Sequence, residues 1–336
     1  MMSRSASSSI GTPLDRSSLM LRTAMGPHIT GALDDPDVLE VMLNPDGQLW
    51  VDRLGTGRSP LGMLCASDGE RIIRLVAAYI GGEVHRARPL ISAELPVSGE
   101  RFEGVLPPAS PAPVFSLRKR ATHVISLDQY TSEGILSSQQ ADCLREAVQQ
   151  RLNIVVAGPT SSGKTTLANA LLAEVAKTDD RVLVLEKDTV ELQCTARDQV
   201  TLRSQPGIVD MADLMRSTLR LRPDRIVVGE IRGAEALDLI KAWGTGHPGG
   251  IATLHAGSSL GALLRIEQLI LEVARTAPRA LIADAVDLIV FLDGRGRERR
   301  VRELSRVLGY DGHGYRLEAA NGVSTQIQAT HQENPS

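Results

Sequence analysis

The chain has 336 residues, enough for two domains, and its 42% hydrophobic and 23% charged residues are an ordinary mixture for a globular protein. A formal net charge of -3 excludes a strongly basic surface, so strong direct nucleic-acid binding is not expected. The 3 cysteines, Cys65, Cys143 and Cys194, are far apart and form no C-x-x-C pair, which argues against a zinc site or a disulfide framework.

Residues 1–18 are Ser-rich and poor in large apolar residues, as are residues 321–336, and both stretches are expected to be flexible tails. The N-terminus lacks a basic-then-apolar signal pattern, and no apolar run approaches the ~20 residues of a membrane helix; the expectation is a cytoplasmic protein without a transmembrane segment. A first, α+β domain is expected over 19–121. Within it, Asn44-Pro45-Asp46-Gly47 separates two strand-like runs, Val38–Leu43 and Gln48–Val51, a hairpin signal. Ser67-Asp68-Gly69-Glu70 has capping-box spacing ahead of a helix through Ile73, Val76 and Ile80. Pro107, Pro108, Pro111 and Pro113 mark a stiff loop before a short strand at Val114–Leu117.

The pattern loosens into polar residues at 122–136, the expected linker. A second capping box, Ser137-Ser138-Gln139-Gln140, then opens a helix carrying Ala141, Leu144, Val148 and Leu152. From there to about 320, apolar runs at 153–157, 181–186, 225–229, 250–254 and 286–292 alternate with helical patterns. Runs of nearly continuous Ile, Val and Leu are expected where helices cover both faces of a parallel sheet, so this half reads as an α/β domain.

Between the first of these runs and a helical pattern (Leu167, Leu171, Val175) stands Gly158-Pro159-Thr160-Ser161-Ser162-Gly163-Lys164-Thr165, a G-x-x-x-x-G-K-[ST] phosphate loop in its required setting. Glycines let backbone N–H groups wrap phosphates, and the following helix adds its positive end. Lys164 is expected to reach the β- and γ-phosphates, the Thr165 hydroxyl to ligate Mg²⁺, and the loop with Thr166 to hold ATP. Gly244-Thr245-Gly246-His247-Pro248-Gly249 matches a dinucleotide fingerprint but follows a helix and precedes a strand, the reverse of the required order. Glu230 ends the run Arg225–Gly229, where sheets of this class bind ligands; it is expected to polarise the attacking water and help organise Mg²⁺. His255 ends the next run and could hydrogen-bond a γ-phosphate.

Taken together, Val228–Ala236, Thr245–Ala256 and Lys187–Cys194 resemble the Walker B motif, His box and acidic box of the type II/type IV secretion ATPase family, in the family's order after the phosphate loop. Ala234–Gly250 and Asn44–Gly55 look most like its conjugal-transfer branch. The resemblance implies a RecA-like ATPase domain behind a smaller N-terminal domain, and a homohexamer working with inner-membrane secretion or conjugation proteins at the cytoplasmic face. It further implies arginines supplied to the γ-phosphate, for which Arg118, Arg101 and Arg232 are candidates. The acidic box departs from the family's Glu-Asp-Thr, because Lys187 separates Glu186 from Asp188; Glu191 keeps its spacing and is the preferred acidic residue. Alternatives are a pilus or type II secretion motor, a nucleic-acid translocase using Arg295, Arg297, Arg299, Arg300 and Arg302, and a nucleotide-gated scaffold in which Lys187 spoils hydrolysis.

Overall fold

In this computed structural model, residues 13–54, 56–95, 98–119, 124–187, 191–205 and 207–320 are described. The chain divides into two compact units, Met1–Thr122 and His123–Ser336.

The first unit begins with α1 (Pro13–Asp34), two helical segments joined at Gly26, whose φ of 68 breaks the helix before Pro27. The helix thus starts inside the stretch expected to be a tail, with Pro at its first position, where a missing N–H costs nothing. Strands β1 (Val38–Leu43), β2 (Gln48–Arg53) and β3 (Gly57–Met63) follow, then α2 (Ala66–Tyr79), β4 (Leu90–Glu94), β5 (Arg101–Val105) and β6 (Val114–Arg118). They form one antiparallel sheet in the order β3-β2-β1-β6-β5-β4. The Asn44–Gly47 turn joins β1 to β2 as the sequence predicts, with Gly47 at φ 83. The first capping box does not form. Cys65 is the N-cap residue of α2, two positions earlier than Ser67, and its thiol approaches the Ser67 hydroxyl and the Asp68 carboxylate instead.

In the second unit, α3 (Leu127–Ser132) occupies the expected linker, and Leu127 and Tyr130 are buried in this unit's core. Helix α4 (Ser138–Gln149) carries the complete Ser137/Gln140 capping box. Then come β7 (Ile154–Ala157), α5 (Lys164–Val175), β8 (Val182–Glu186), β9 (Gln199–Arg203), α6 (Met211–Thr218), β10 (Arg225–Val228), α7 (Glu235–Gly244), β11 (Ile251–Leu254), α8 (Ser259–Leu271), α9 (Arg279–Ala285), β12 (Leu288–Asp293), β13 (Arg300–Tyr310) and β14 (Tyr315–Ala319). The sheet order is β14-β13-β12-β7-β11-β10-β8-β9, parallel from β12 to β9, with β13 and β14 antiparallel. All five strands foreseen in this half are present. Their faces alternate: Ile154 and Val156 pack with α3–α5, while Val155 and Ala157 pack with α6–α9, so helices cover both sides. Strands β9, β13 and β14 escape the apolar-run criterion because they lie toward the sheet edges, where polar residues interrupt them.

Candidate active site

The order β12-β7-β11-β10-β8 decides what meets at the carboxyl ends of the strands. The phosphate loop leaves β7, His255 follows β11, Glu230 follows β10 and Glu186 ends β8. Neighbouring strands therefore deliver residues that are up to 97 positions apart in the chain (158 to 255) to one edge.

The loop is shaped by close approaches. A Cβ on Gly158 would stand 2.6 Å from Ser162 Oγ and 2.5 Å from the Leu292 carbonyl oxygen. Ser161 (φ 64) and Gly163 (φ 93) are left-handed, which turns the chain into α5. Pro159, Thr160 and Ser161 are exposed, whereas Ser162 and Lys164 are buried. The buried Ser162 Oγ has no hydrogen-bond partner. Lys164 Nζ donates to the Gly158 and Pro159 carbonyls at 3.1 and 3.0 Å, folding its ammonium back over the cradle. It also lies 3.3 Å from His255 Nδ1.

His255 Nε2 in turn lies 2.9 Å from Glu230 Oε1, a close approach whose alignment falls short of a hydrogen bond. Partial burial, followed by the charge of Lys164, pushes the His255 imidazole below its usual range, against the opposing pull of Glu230. The ring is thus held neutral, and its neighbours favour the tautomer with the proton on Nε2, toward the carboxylate. Arg232 pairs with Glu230 Oε2. The strand end is pinned by Thr253 Oγ1 donating to the Gly229 carbonyl at 2.6 Å. Glu235 Oε1 accepts the N–H groups of Arg232 and Gly233 at 2.7 and 3.0 Å, closing the turn after Glu230.

Glu191 Oε2 is 3.3 Å from Thr165 Oγ1, beside the phosphate loop. Asn169, on α5, accepts from Gln193 N at 2.8 Å and donates to the Glu191 carbonyl at 3.2 Å, holding this segment against the helix. Glu186 is buried and its Oε1 accepts the Glu191 and Leu192 N–H groups at 2.8 and 2.5 Å, which makes it an anchor of the loop. Lys187 is exposed, and Asp188 lies outside the described residues. The absence of a side chain at Gly229 follows from the same geometry: its Cβ would fall 2.3 Å from Glu186 Oε2.

Phosphate loop, Glu191, Glu230, Arg232 and His255 thus gather in one unit. Thr166 occupies the first turn of α5. Arg101 and Arg118 belong to the first unit, where they are direct cross-strand partners on β5 and β6. His247 lies 3.3 Å from the Pro223 carbonyl, a position Gly249 and Gly250 help fix: Cβ atoms there would stand 2.7 Å from Arg225 Nη1 and 2.1 Å from Trp243 Nε1. The spurious dinucleotide fingerprint is therefore a packing feature. Asn169 escaped sequence reasoning, although it stands as a polar residue amid the apolar run Leu167–Leu172. Gly229 and Glu235 entered it only as members of the run Val228–Ala236, without the packing and turn-closing roles the structure gives them.

Oxygen donors at Thr165, Glu191 and Glu230 suit Mg²⁺, which keeps several waters and needs few protein ligands. Among the described residues no cluster of three or more His, Cys, Asp or Glu could by itself hold a metal ion.

The family model for "Type II/IV secretion system protein" matches residues 100–295. The conjugal transfer protein TrbB of Rhizobium radiobacter is 47% identical over 300 residues, covering 89% of this chain and 92% of that protein. The type IV secretion system protein PtlH of Bordetella pertussis is 33% identical, covering 81% and 91%. Among solved structures, the Legionella pneumophila ATPase DotB shares the fold, with a TM-score of 0.58 at 19% identity, covering 79% of this chain and 74% of DotB. No described helix is long and apolar enough to cross a membrane. The chain belongs to the type II/IV secretion system protein family, as an ATPase built on that family's phosphate-loop domain.

Proposed function

We propose that the chain is the homohexameric motor of a conjugal-transfer or type IV secretion apparatus, hydrolysing Mg·ATP and acting with its inner-membrane proteins from the cytoplasmic face. The observation carrying this reading is the line Lys164–His255–Glu230, spanning three adjacent strand ends beside the phosphate loop. The names of the relatives, TrbB and PtlH, support the type of apparatus.

In this reading the amides of Gly158–Thr166 and the Lys164 ammonium hold the triphosphate. Glu230 orients a water and accepts its proton as the oxygen attacks the γ-phosphorus and the bond to the β-phosphate oxygen breaks, releasing ADP and phosphate. His255 hydrogen-bonds the γ-phosphate and couples its loss to Glu230. Thr165 and Glu230 would hold Mg²⁺, with Glu191 bearing on Thr165. The ion, when bound, would neutralise charge on the phosphates. Arg232 balances Glu230, and Arg101 and Arg118 contribute positive charge to the transition state.

The test is phosphate release by the purified chain beside light-scattering mass with and without Mg·ATP. Nucleotide-dependent turnover by a six-subunit particle is expected; a monomer without turnover under every condition overturns the proposal. Arg118→Ala is expected to slow hydrolysis with the particle mass unchanged, and an unaltered rate removes that arginine from the mechanism.

A further inference from the structure

The end of β12 and its connection to β13 lie on the phosphate loop, one at each of its glycines. The Leu292 carbonyl abuts Gly158, and the guanidinium of Arg299 abuts Gly163, where an added Cβ would stand 2.9 Å from both Cζ and Nε. The connection itself is tightly set. Gly294, at φ 81, has no room for a side chain, since its Cβ would fall 2.3 Å from the Glu298 carbonyl oxygen. Val301 N donates to the Ile135 carbonyl at 2.9 Å, fixing the chain just beyond Arg299.

Arg299 Nε is buried and has no hydrogen-bond partner. Among the described residues its guanidinium also has no ion-pair partner, unlike Arg302, which lies 3.8 Å from Asp293. The hydroxyl of Tyr130, close enough to feel the charge of Arg299, is likewise buried and unpaired, as is Ser162 Oγ. A cation with an unmatched buried donor thus sits on the phosphate loop, against the positive end of α5. Such an arrangement is unfavourable in isolation and becomes favourable when a polyanion arrives. Lys164 reaches toward Gly158, Pro159 and His255, whereas Arg299 covers the helix end of the loop at Gly163.

We propose that Arg299 is a nucleotide-binding residue that donates from its guanidinium to the α- or β-phosphate, the diphosphate shared by ADP and ATP. This rests on the phosphate-loop reading above and adds to it a cationic contact from the far end of the chain. The run of arginines from Arg295 to Arg302 is then not one basic face, because Arg299 turns to the loop while Arg295 and Arg300 stay exposed.

The test measures ADP and pyrophosphate affinity of the full chain by titration calorimetry, together with melting temperatures with and without ADP. Arg299→Ala is expected to weaken both ligands by about tenfold, the scale of one charged hydrogen bond, and to shrink the ADP-induced rise in melting temperature. Arg299→Lys should recover part of the loss, and Arg300→Ala should behave as the unaltered chain. Equal ADP affinity in Arg299→Ala overturns the proposal. A loss for ADP without a loss for pyrophosphate also overturns it, because the guanidinium then contacts base or sugar. If the alanine variant folds poorly, Arg299→Gln, which keeps length and loses charge, decides by the same affinities. Failure of the unaltered chain to bind either ligand sinks the phosphate-loop reading itself, a distinct result.

Discussion

The two ends of the parallel sheet treat buried charge in opposite ways. At the amino ends, Arg225 is 1% exposed, yet each of its guanidinium nitrogens has an acceptor: Asp180 at 2.6 Å, the Val148 carbonyl at 2.9 Å and the Gly249 carbonyl at 3.3 Å. Asp180 also takes Arg151 and the Thr178 hydroxyl. Beside it, Asn153 joins β7 to the starts of β11 and the segment before β12, accepting from Gly250 N and donating to the Ala285 carbonyl, each at 2.9 Å. At the carboxyl ends, Ser162 Oγ, Glu230 Oε1 and Arg299 Nε are buried without hydrogen bonds. Folding completes the first end. The second is left for a ligand to complete, which is how a binding site differs from a structural network built of the same residue types.

Substitutions at the two ends should therefore separate function from stability. The largest effect is expected for Lys164→Ala, which should abolish tight nucleotide binding and lower turnover by about 10³-fold or more, since one charged group serves both the β- and γ-phosphates. Binding and rate close to those of the unaltered chain would remove the premise of the comparison. Glu230→Gln should slow hydrolysis by about 10²–10³-fold while ATP stays bound, the loss expected of a positioned base. A normal rate would assign the water to another residue.

Arg225→Ala should instead cost about 3–5 kcal/mol in denaturant unfolding, because it strands the Asp180 carboxylate in the core. Rate per folded molecule should hold; a loss of rate without loss of stability would erase the distinction between the ends. The same network sets an acid limit. Burial works against ionisation of Asp180, but the hydrogen bond and charge of Arg225 outweigh it and hold the carboxyl below 3.8. A depressed value means this contribution is fully present above 3.8 and is lost as pH falls through the lower folded value. Stability of the unaltered chain should decline below that point, and less steeply in Arg225→Ala. The smallest effect is expected for Gly229→Ala, at about 1–3 kcal/mol, as the new methyl displaces Glu186 and loosens the segment carrying Glu191. An unchanged unfolding midpoint and rate would show that Glu186 yields without consequence.

Much of this was legible beforehand because the signals were local. Strand, phosphate loop and helix adjoin in the chain, and the Ser137/Gln140 capping box spans one helical turn. Ser67 misled because a second N-cap, Cys65, lay two residues upstream, and spacing alone does not choose between them. The stretch 122–136 looked like a linker because its few apolar residues, Leu127 and Tyr130 among them, are buried by contact with distant elements rather than by a periodic face of their own. Arg299 was hidden within a run of arginines that differ only in what each one meets.

The sequence by itself determined the strand-loop-helix cradle and the parallel strands flanking it, with Lys164, Glu230 and His255 at their ends, because each of these elements is set by bonding within a few residues or by an uninterrupted apolar run. Tertiary structure alone decided that β11 stands between β7 and β10, so that His255 touches both Lys164 and Glu230. It also decided that Gly229 yields to Glu186 and that Arg299 comes to rest on Gly163. Those outcomes depend on strand order and close approach between segments far apart in the chain, for which no local pattern codes.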